Sequence, residues 1–144
     1  MENASKMGRE KIRITEPMRE AIIHHAMAAR PQECCGLLSG AGNVICEAHA
    51  LSNEADQPEV RYFASPKELF TAMRRIRESG QQMLGIYHSH PRSPAYPSAS
   101  DVEMAFYPEA VYFIISLEPR VEVRAFRIAD PEISEVEIEI SREA

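Results

Sequence analysis

Apolar positions in this chain recur with two periods, and the switches between them mark out the elements. Met18, Ile22, Ala26 and Ala29 fall at helical spacing and predict a helix from Thr15 to about Arg30. Thr15 is a fitting N-cap, Pro17 sits in the first turn, and Pro31 stops the helix by pushing its predecessor out of helical geometry. Gly36 to Gly40 is an apolar strand closing on a Gly-Ala-Gly turn, with Val44 to Ala50 as the return strand. Leu51 to Val60 is polar and loop-like, and Arg61 to Ala64 reads as a short strand. Ser65 and Pro66 supply the cap and first position of a second helix. Its buried stripe is Leu69, Met73 and Ile76, and Gly80 is its left-handed stop.

Met83 to Tyr87 is nearly all apolar, which suits a central strand buried on both faces. A Pro- and Ser-rich loop follows from Ser89 to Ser100, then a candidate third helix from Asp101 to Phe106. Val111 to Leu117 is another apolar strand and Val121 to Ile128 alternates. Glu135 to Ile140 alternates strictly between acidic and apolar residues, giving one wet face whose charges discourage edge-to-edge pairing. Residues 1–10 are polar and expected to be loose. With no repeat and no linker, the pattern predicts one α+β domain over 11–144, a mixed sheet flanked by helices.

A length of 144 residues is enough for one core without staples. A net charge of −6 disfavours nucleic acid and anionic membrane as partners, since both are gripped through surplus Lys and Arg. Cys34 and Cys35 are neighbours and Cys46 is alone, which is no disulfide framework and fits reduced thiols. The opening residues carry charges where a signal peptide needs an apolar stretch, and no run reaches membrane-spanning length. A cytoplasmic location is expected.

The candidate chemistry lies between His88 and Asp101. Histidines at i and i+2 on a strand point to one face. Two neutral imidazoles and a carboxylate are good zinc ligands, and a catalytic site uses three protein ligands with the fourth position left to water. His88, His90 and Asp101 meet that count, and the intervening loop is long enough to bring Asp101 back to the same ion. From the chain's own composition, HxH followed after seven residues by SxxD turns up in roughly 3 shuffles in 10,000, so the spacing carries the signal, not the histidine pair. The helix-borne HExxH zinc motif is absent.

Plainer readings stand beside this one. The histidines could be ordinary strand-end residues. Ser98 and Asp101 also form a helix-capping pattern, as do Ser100 and Glu103. Glu33, on residue type alone, reads as a solvated glutamate after a helix. Cys34 or Cys35 could be a nucleophile paired with a histidine, although cysteine is more often a small buried hydrophobe. His24 and His25 read as surface residues or helix C-terminal charge partners. His49 has no evident partner, and Arg92 is an exposed loop cation beside the proposed site.

Taken with the upstream stretch Glu33-Cys34-Cys35-Gly36-Leu37-Leu38, the His88/His90/Ser98/Asp101 pattern resembles the JAMM, or MPN+, metallopeptidases. The resemblance spans roughly residues 15 to 128. It implies a curved mixed sheet in a cytidine deaminase-like layout and a Zn2+ ion held by His88, His90 and Asp101. Glu33 is then the general base that works the water, and Ser98 donates to the oxyanion. It further implies a small, stand-alone prokaryotic enzyme cutting peptide or isopeptide bonds at the C-terminal tail of a ubiquitin-like or sulfur-carrier protein. A short Leu51–Val60 loop and the lack of a long insertion after Leu117 argue against elaborate ubiquitin-chain recognition, and an extended tail would suit β-strand addition. The alternatives are a peptidase of cell-wall or phage peptides, and a metal-free scaffold module. The presence of Glu33, His88, His90 and Asp101 together speaks against the scaffold. A DNA-related role, suggested by a similar pattern in a group linked to DNA repair, is disfavoured by the acidic charge.

Overall fold

The computed structural model describes residues 10–142, which form seven strands and three helices. In chain order these are β1 (Lys11–Thr15), α1 (Glu16–Ala29), β2 (Cys35–Ala41), β3 (Val44–Leu51), α2 (Pro66–Glu78), β4 (Gln82–His90), α3 (Ala99–Glu103), β5 (Val111–Ser116), β6 (Glu122–Ala129) and β7 (Glu132–Ser141). No helix of the described residues is long and apolar enough to cross a membrane.

The local signals act much as the sequence predicts. Helix α2 is capped by Ser65, whose hydroxyl accepts from the Glu68 N–H, and it is followed by Gly80 at φ +83°. Helix α1 stops at Ala29, ahead of Pro31, and buries Ile22 and Ala26. Its Thr15 makes no side-chain cap, because Thr15 is the last residue of β1 and the strand runs straight into the helix. Helix α3 starts two residues earlier than expected, with Ser98 as N-cap. The expected strand at Arg61–Ala64 is absent. Only Ala64 bridges back to Asn53, and the rest of the segment is a loop. The Asn53 side chain ties that loop, accepting from the Ala55 and Phe63 N–H groups and donating to the carbonyls of Glu33 and Arg61.

The strands close on themselves in the order β1-β3-β2-β4-β5-β6-β7. The pairs β2–β3, β2–β4, β5–β6 and β6–β7 are antiparallel, whereas β1–β3, β1–β7 and β4–β5 are parallel. The sheet is thus mixed and the class α+β, as expected. Closure and β1 itself were not anticipated. Strand β1 pairs with β7 over five residues, so β7 has no open edge to guard. Its acidic face is matched by cations instead: Glu139 meets Lys11 at 3.1 Å and Arg13 at 3.2 Å, and Glu135 meets Arg124 at 2.9 Å. Of the segment expected to be loose, residues 1–9 lie outside the described residues. Glu10 is held by Arg127 and by a bond from the Glu137 N–H to its carbonyl.

Apolar side chains fill both faces of the sheet. One cluster, with Ile14, Leu38, Ile45, Tyr87, Phe113 and Ile115, takes Ile22 and Ala26 from α1. The other, with Leu37, Ile86, Tyr112, Ile114 and Phe126, takes Ala72 and Ile76 from α2. Successive residues of β4 and β5 go to opposite clusters, which is why residues 83–87 and 111–115 are nearly all apolar. On β4 this alternation sends Tyr87 to the α1 side and Ile86 to the α2 side. His88 and His90 continue the Ile86 row, where the apolar run ends.

Candidate metal centre

His88 and His90 close the C-terminal end of β4, a central strand with β2 and β5 on either side. Both rings are buried. The loop from Pro91 to Pro97 folds back and delivers Asp101, in the first turn of α3, to the same place. His88 Nε2 lies 3.1 Å and His90 Nε2 3.0 Å from Asp101 Oδ2, and the two imidazole nitrogens lie 3.1 Å apart. Among the described residues these three form the group able to hold a metal ion.

The donor set fits zinc in kind and in size. Ligand bonds of about 2.0–2.1 Å arranged tetrahedrally place ligand atoms about 3.3 Å apart. The triangle of 3.0–3.1 Å edges is close to that spacing. Three like-sized polar groups would not be buried in mutual contact for packing alone, because each is desolvated at a cost.

Each ligand is steadied in its own way. Asp101 Oδ2 accepts from the Ser98 N–H at 2.9 Å while Ser98 Oγ accepts from the Asp101 N–H at 3.0 Å, a reciprocal capping box. Burial opposes the Asp101 charge, yet the His88 and His90 imidazoles and the Ser98 N–H hold its carboxyl well below the usual carboxylate range. His90 Nδ1 lies 2.8 Å from the Pro94 carbonyl, in a loop anchored by the bond from Ser116 Oγ to the Ser93 carbonyl. Burial pushes His90 down, but its bonds to Asp101 and Pro94 outweigh that and leave it above its ordinary value. His88 has a stacked ring for a neighbour: Tyr62, 4.5 Å away at 26°.

Glu33 lies between the end of α1 and the start of β2, and its backbone is fixed on both sides. Its N–H donates to the Pro58 carbonyl at 2.7 Å, and its carbonyl accepts from Asn53 Nδ2 at 3.0 Å. The next residue, Cys34, exchanges two bonds with Ser89: its N–H donates to Ser89 Oγ at 2.8 Å, and the Ser89 N–H returns to its carbonyl at 3.2 Å. Glu33 is thereby registered to the residue between the two histidines. Glu33 is 6 % exposed and shares with His90, Arg92 and Ser98 the lining of a cleft of about 190 Å³. Oε1 has no hydrogen-bond partner among the described residues. Burial pushes the carboxyl up to about 8, against the opposing pull of His90 and with a further push from Asp101. A desolvated carboxyl in a cleft beside metal-type ligands is a setting that suits proton transfer near neutral pH.

The structure therefore gathers Glu33, His88, His90, Ser98 and Asp101 at one place. It does not favour the thiol alternative. Cys34 and Cys35 are buried, and burial pushes their thiols up to about 11 and about 12, so neither supplies a thiolate. His25 is not a helix-end charge partner: its Nδ1 lies 2.7 Å from the Tyr87 hydroxyl, and burial holds it below its ordinary value. His49 does have a partner, Ser39 Oγ at 2.8 Å. Arg92 is exposed on the cleft's rim, as expected. Three further residues contribute: Ser89, Asn53 and Tyr62. Ser89 could have been found, since it stands inside the HxH motif. Asn53 and Tyr62 lie in a stretch with no periodicity to mark them.

The sequence signature of prokaryotic homologs of the JAB domain matches residues 15–129. A desampylase of Haloferax volcanii is 35% identical over 121 residues, covering 80% of this chain and 87% of that protein. CysO-cysteine peptidase of Mycobacterium tuberculosis is 32% identical over 123 residues, covering 83% of this chain and 84% of that one. A solution structure from Desulfitobacterium hafniense superposes with a TM-score of 0.82 at 38% identity, over 92% of this chain and 94% of the other. With the signature spanning most of the chain and its ligand set assembled in the fold, the chain belongs to the JAB (JAMM) metallopeptidase family, in its prokaryotic branch.

Proposed function

We propose that this protein is a zinc-dependent hydrolase acting at the C-terminal tail of a ubiquitin-like or sulfur-carrier protein, where it cuts a peptide or isopeptide bond. The observation that carries this reading is the buried triangle of His88, His90 and Asp101, with the Glu33 carboxyl, whose Oε1 has no hydrogen-bond partner among the described residues, in the adjoining cleft. His88, His90 and Asp101 would hold the ion. Zinc, when bound, supplies Lewis acidity, polarising a carbonyl and acidifying water. Glu33 takes the proton from the attacking water and hands it to the leaving amine, a shuttle for which a carboxyl raised towards neutrality is suited. The Ser98 hydroxyl donates a hydrogen bond to the oxyanion. Its capping bond uses Oγ as an acceptor and so does not compete for that proton.

The substrate class follows the relatives, a desampylase and a CysO-cysteine peptidase. The free thiols of Cys34, Cys35 and Cys46 suit a reducing cytoplasm. The test is cleavage of carrier-tail conjugates set against a panel of cell-wall peptides, with wild type and Glu33→Gln. Wild type is expected to release the group joined to the carrier's C-terminus. Glu33→Gln is expected to keep its zinc and lose at least about 100-fold in turnover. Cleavage of cell-wall peptides alone would end the substrate assignment, and normal turnover by Glu33→Gln would end the role of Glu33.

A further inference from the structure

The two histidines are oriented by different means. Metal-ligating histidines ordinarily place their second nitrogen on an acceptor, which fixes the ring. His90 does so, through Nδ1 and the Pro94 carbonyl at 2.8 Å. His88 does not: its Nδ1 is buried and reaches no partner among the described residues. The torsion that turns an imidazole about its Cβ–Cγ bond is broad, so the ring does not hold its own plane. What His88 has is the face of Tyr62, 4.5 Å away and within 26° of parallel. Turning His88 out of plane would drive its edge into that face.

Tyr62 is itself held from both sides. Asn53 Oδ1 accepts from the N–H of Phe63 at 3.0 Å, and Asn53 Nδ2 donates to the carbonyl of Arg61 at 3.1 Å. One amide thus fixes the residues before and after Tyr62, and the same amide holds the Glu33 carbonyl at 3.0 Å. The Tyr62 ring also forms part of the wall of an apolar cavity of about 240 Å³, with Leu69, Ile86 and Tyr112. The ring is packed and anchored, as a restraint has to be.

We infer that Tyr62 is a positioning residue of the metal centre: its ring face, in place of a hydrogen bond, sets the plane of His88 and keeps Nε2 turned towards His90 and Asp101. This rests on the reading of His88 as a metal ligand. It makes the polar loop between β3 and α2 part of the site, with Asn53 as the common post for Tyr62 and Glu33.

The experiment measures zinc affinity by chelator competition, and the visible bands of the cobalt(II)-substituted protein, for wild type, Tyr62→Phe and Tyr62→Leu. Thermal unfolding of the metal-free proteins is the control for folding. Tyr62→Phe keeps the face and is expected to stay within about threefold of wild type with unchanged bands. Tyr62→Leu is expected to lose about 10- to 100-fold in affinity, with altered bands and cooperative unfolding retained. If Leu does not fold, Tyr62→Met fills the wall without a flat face and carries the same expectation. Affinity and bands of Leu or Met equal to wild type would overturn the inference, as would a loss in Phe as large as in Leu. Wild type that takes up no zinc would overturn the reading of His88 first, and the role of Tyr62 with it.

Discussion

Glu33 occupies a position that stability alone would not choose for a carboxyl. It is buried, one oxygen lacks a partner, and burial lifts its proton affinity to about 8 from an ordinary 4.5. The sign of the consequence is definite. Between pH 4.5 and 8 the unfolded chain has released a proton that the folded chain still binds, so each step upward in pH favours unfolding. Below 4.5 both states are protonated and the group contributes nothing. Metal-free protein is therefore expected to lose stability as pH rises through that window. Glu33→Gln should remove the loss, leaving the metal-free variant more stable than wild type at pH 8. Urea unfolding at pH 5 and pH 8 measures it, and a variant less stable than wild type at pH 8 would contradict it. At this scale the sequence was informative where a motif fixed residue types. His88, His90, Ser98, Asp101 and Glu33 all meet at one place. Tyr62 and Asn53 were illegible, because their roles depend on a loop path that no spacing encodes.

Ser89 shows how elements bring the two halves of the site into register. Where β2 has not yet begun, its hydroxyl takes the Cys34 N–H, continuing the pairing of Cys35 with His88 by one more residue. Removing that hydroxyl leaves a buried N–H unpaired, a cost of about 1–3 kcal/mol. Ser89→Ala is expected to destabilise by that amount in urea unfolding. It should also lower kcat several-fold with KM little changed, since Glu33 loses its register while the cleft stays intact. An unchanged kcat would show that Glu33 is placed by Asn53 and Pro58 alone. The elements themselves were legible in proportion to their signals. Caps and stop residues marked α2, and unbroken apolar runs marked β4 and β5. Helix α3 begins at Ala99, two residues before Asp101, because the capping box at Ser98 sets its start. Arg61 to Ala64 has strand-like composition but no partner strand beside it beyond the bridge at Asn53, so it stays a loop.

At the scale of the whole molecule, closure of the sheet depends on β1, five residues with only two apolar positions. Alternation tells which side of a strand is buried but not which strand lies next to it, so the parallel pairing of β1 with β7 could not be read from periodicity. Alternation alone makes the acidic residues along that seam a wet face, but in the fold Glu139 is met across strands by Lys11 and Arg13. Those pairs are partly exposed and contribute little, so the closure rests on the apolar residues inside, Ile12 and Ile14 among them. What the barrel provides is a central strand, β4, whose end is held from both sides, so that two imidazoles project from a fixed edge towards α3. The most direct test of that arrangement is the metal content of purified, zinc-loaded protein, with Asp101→Ala measured alongside. The account predicts about one zinc per wild-type chain and almost none in the variant, since three protein ligands make one site and two do not hold it. A wild-type chain without zinc, or a variant carrying a full equivalent, would contradict it.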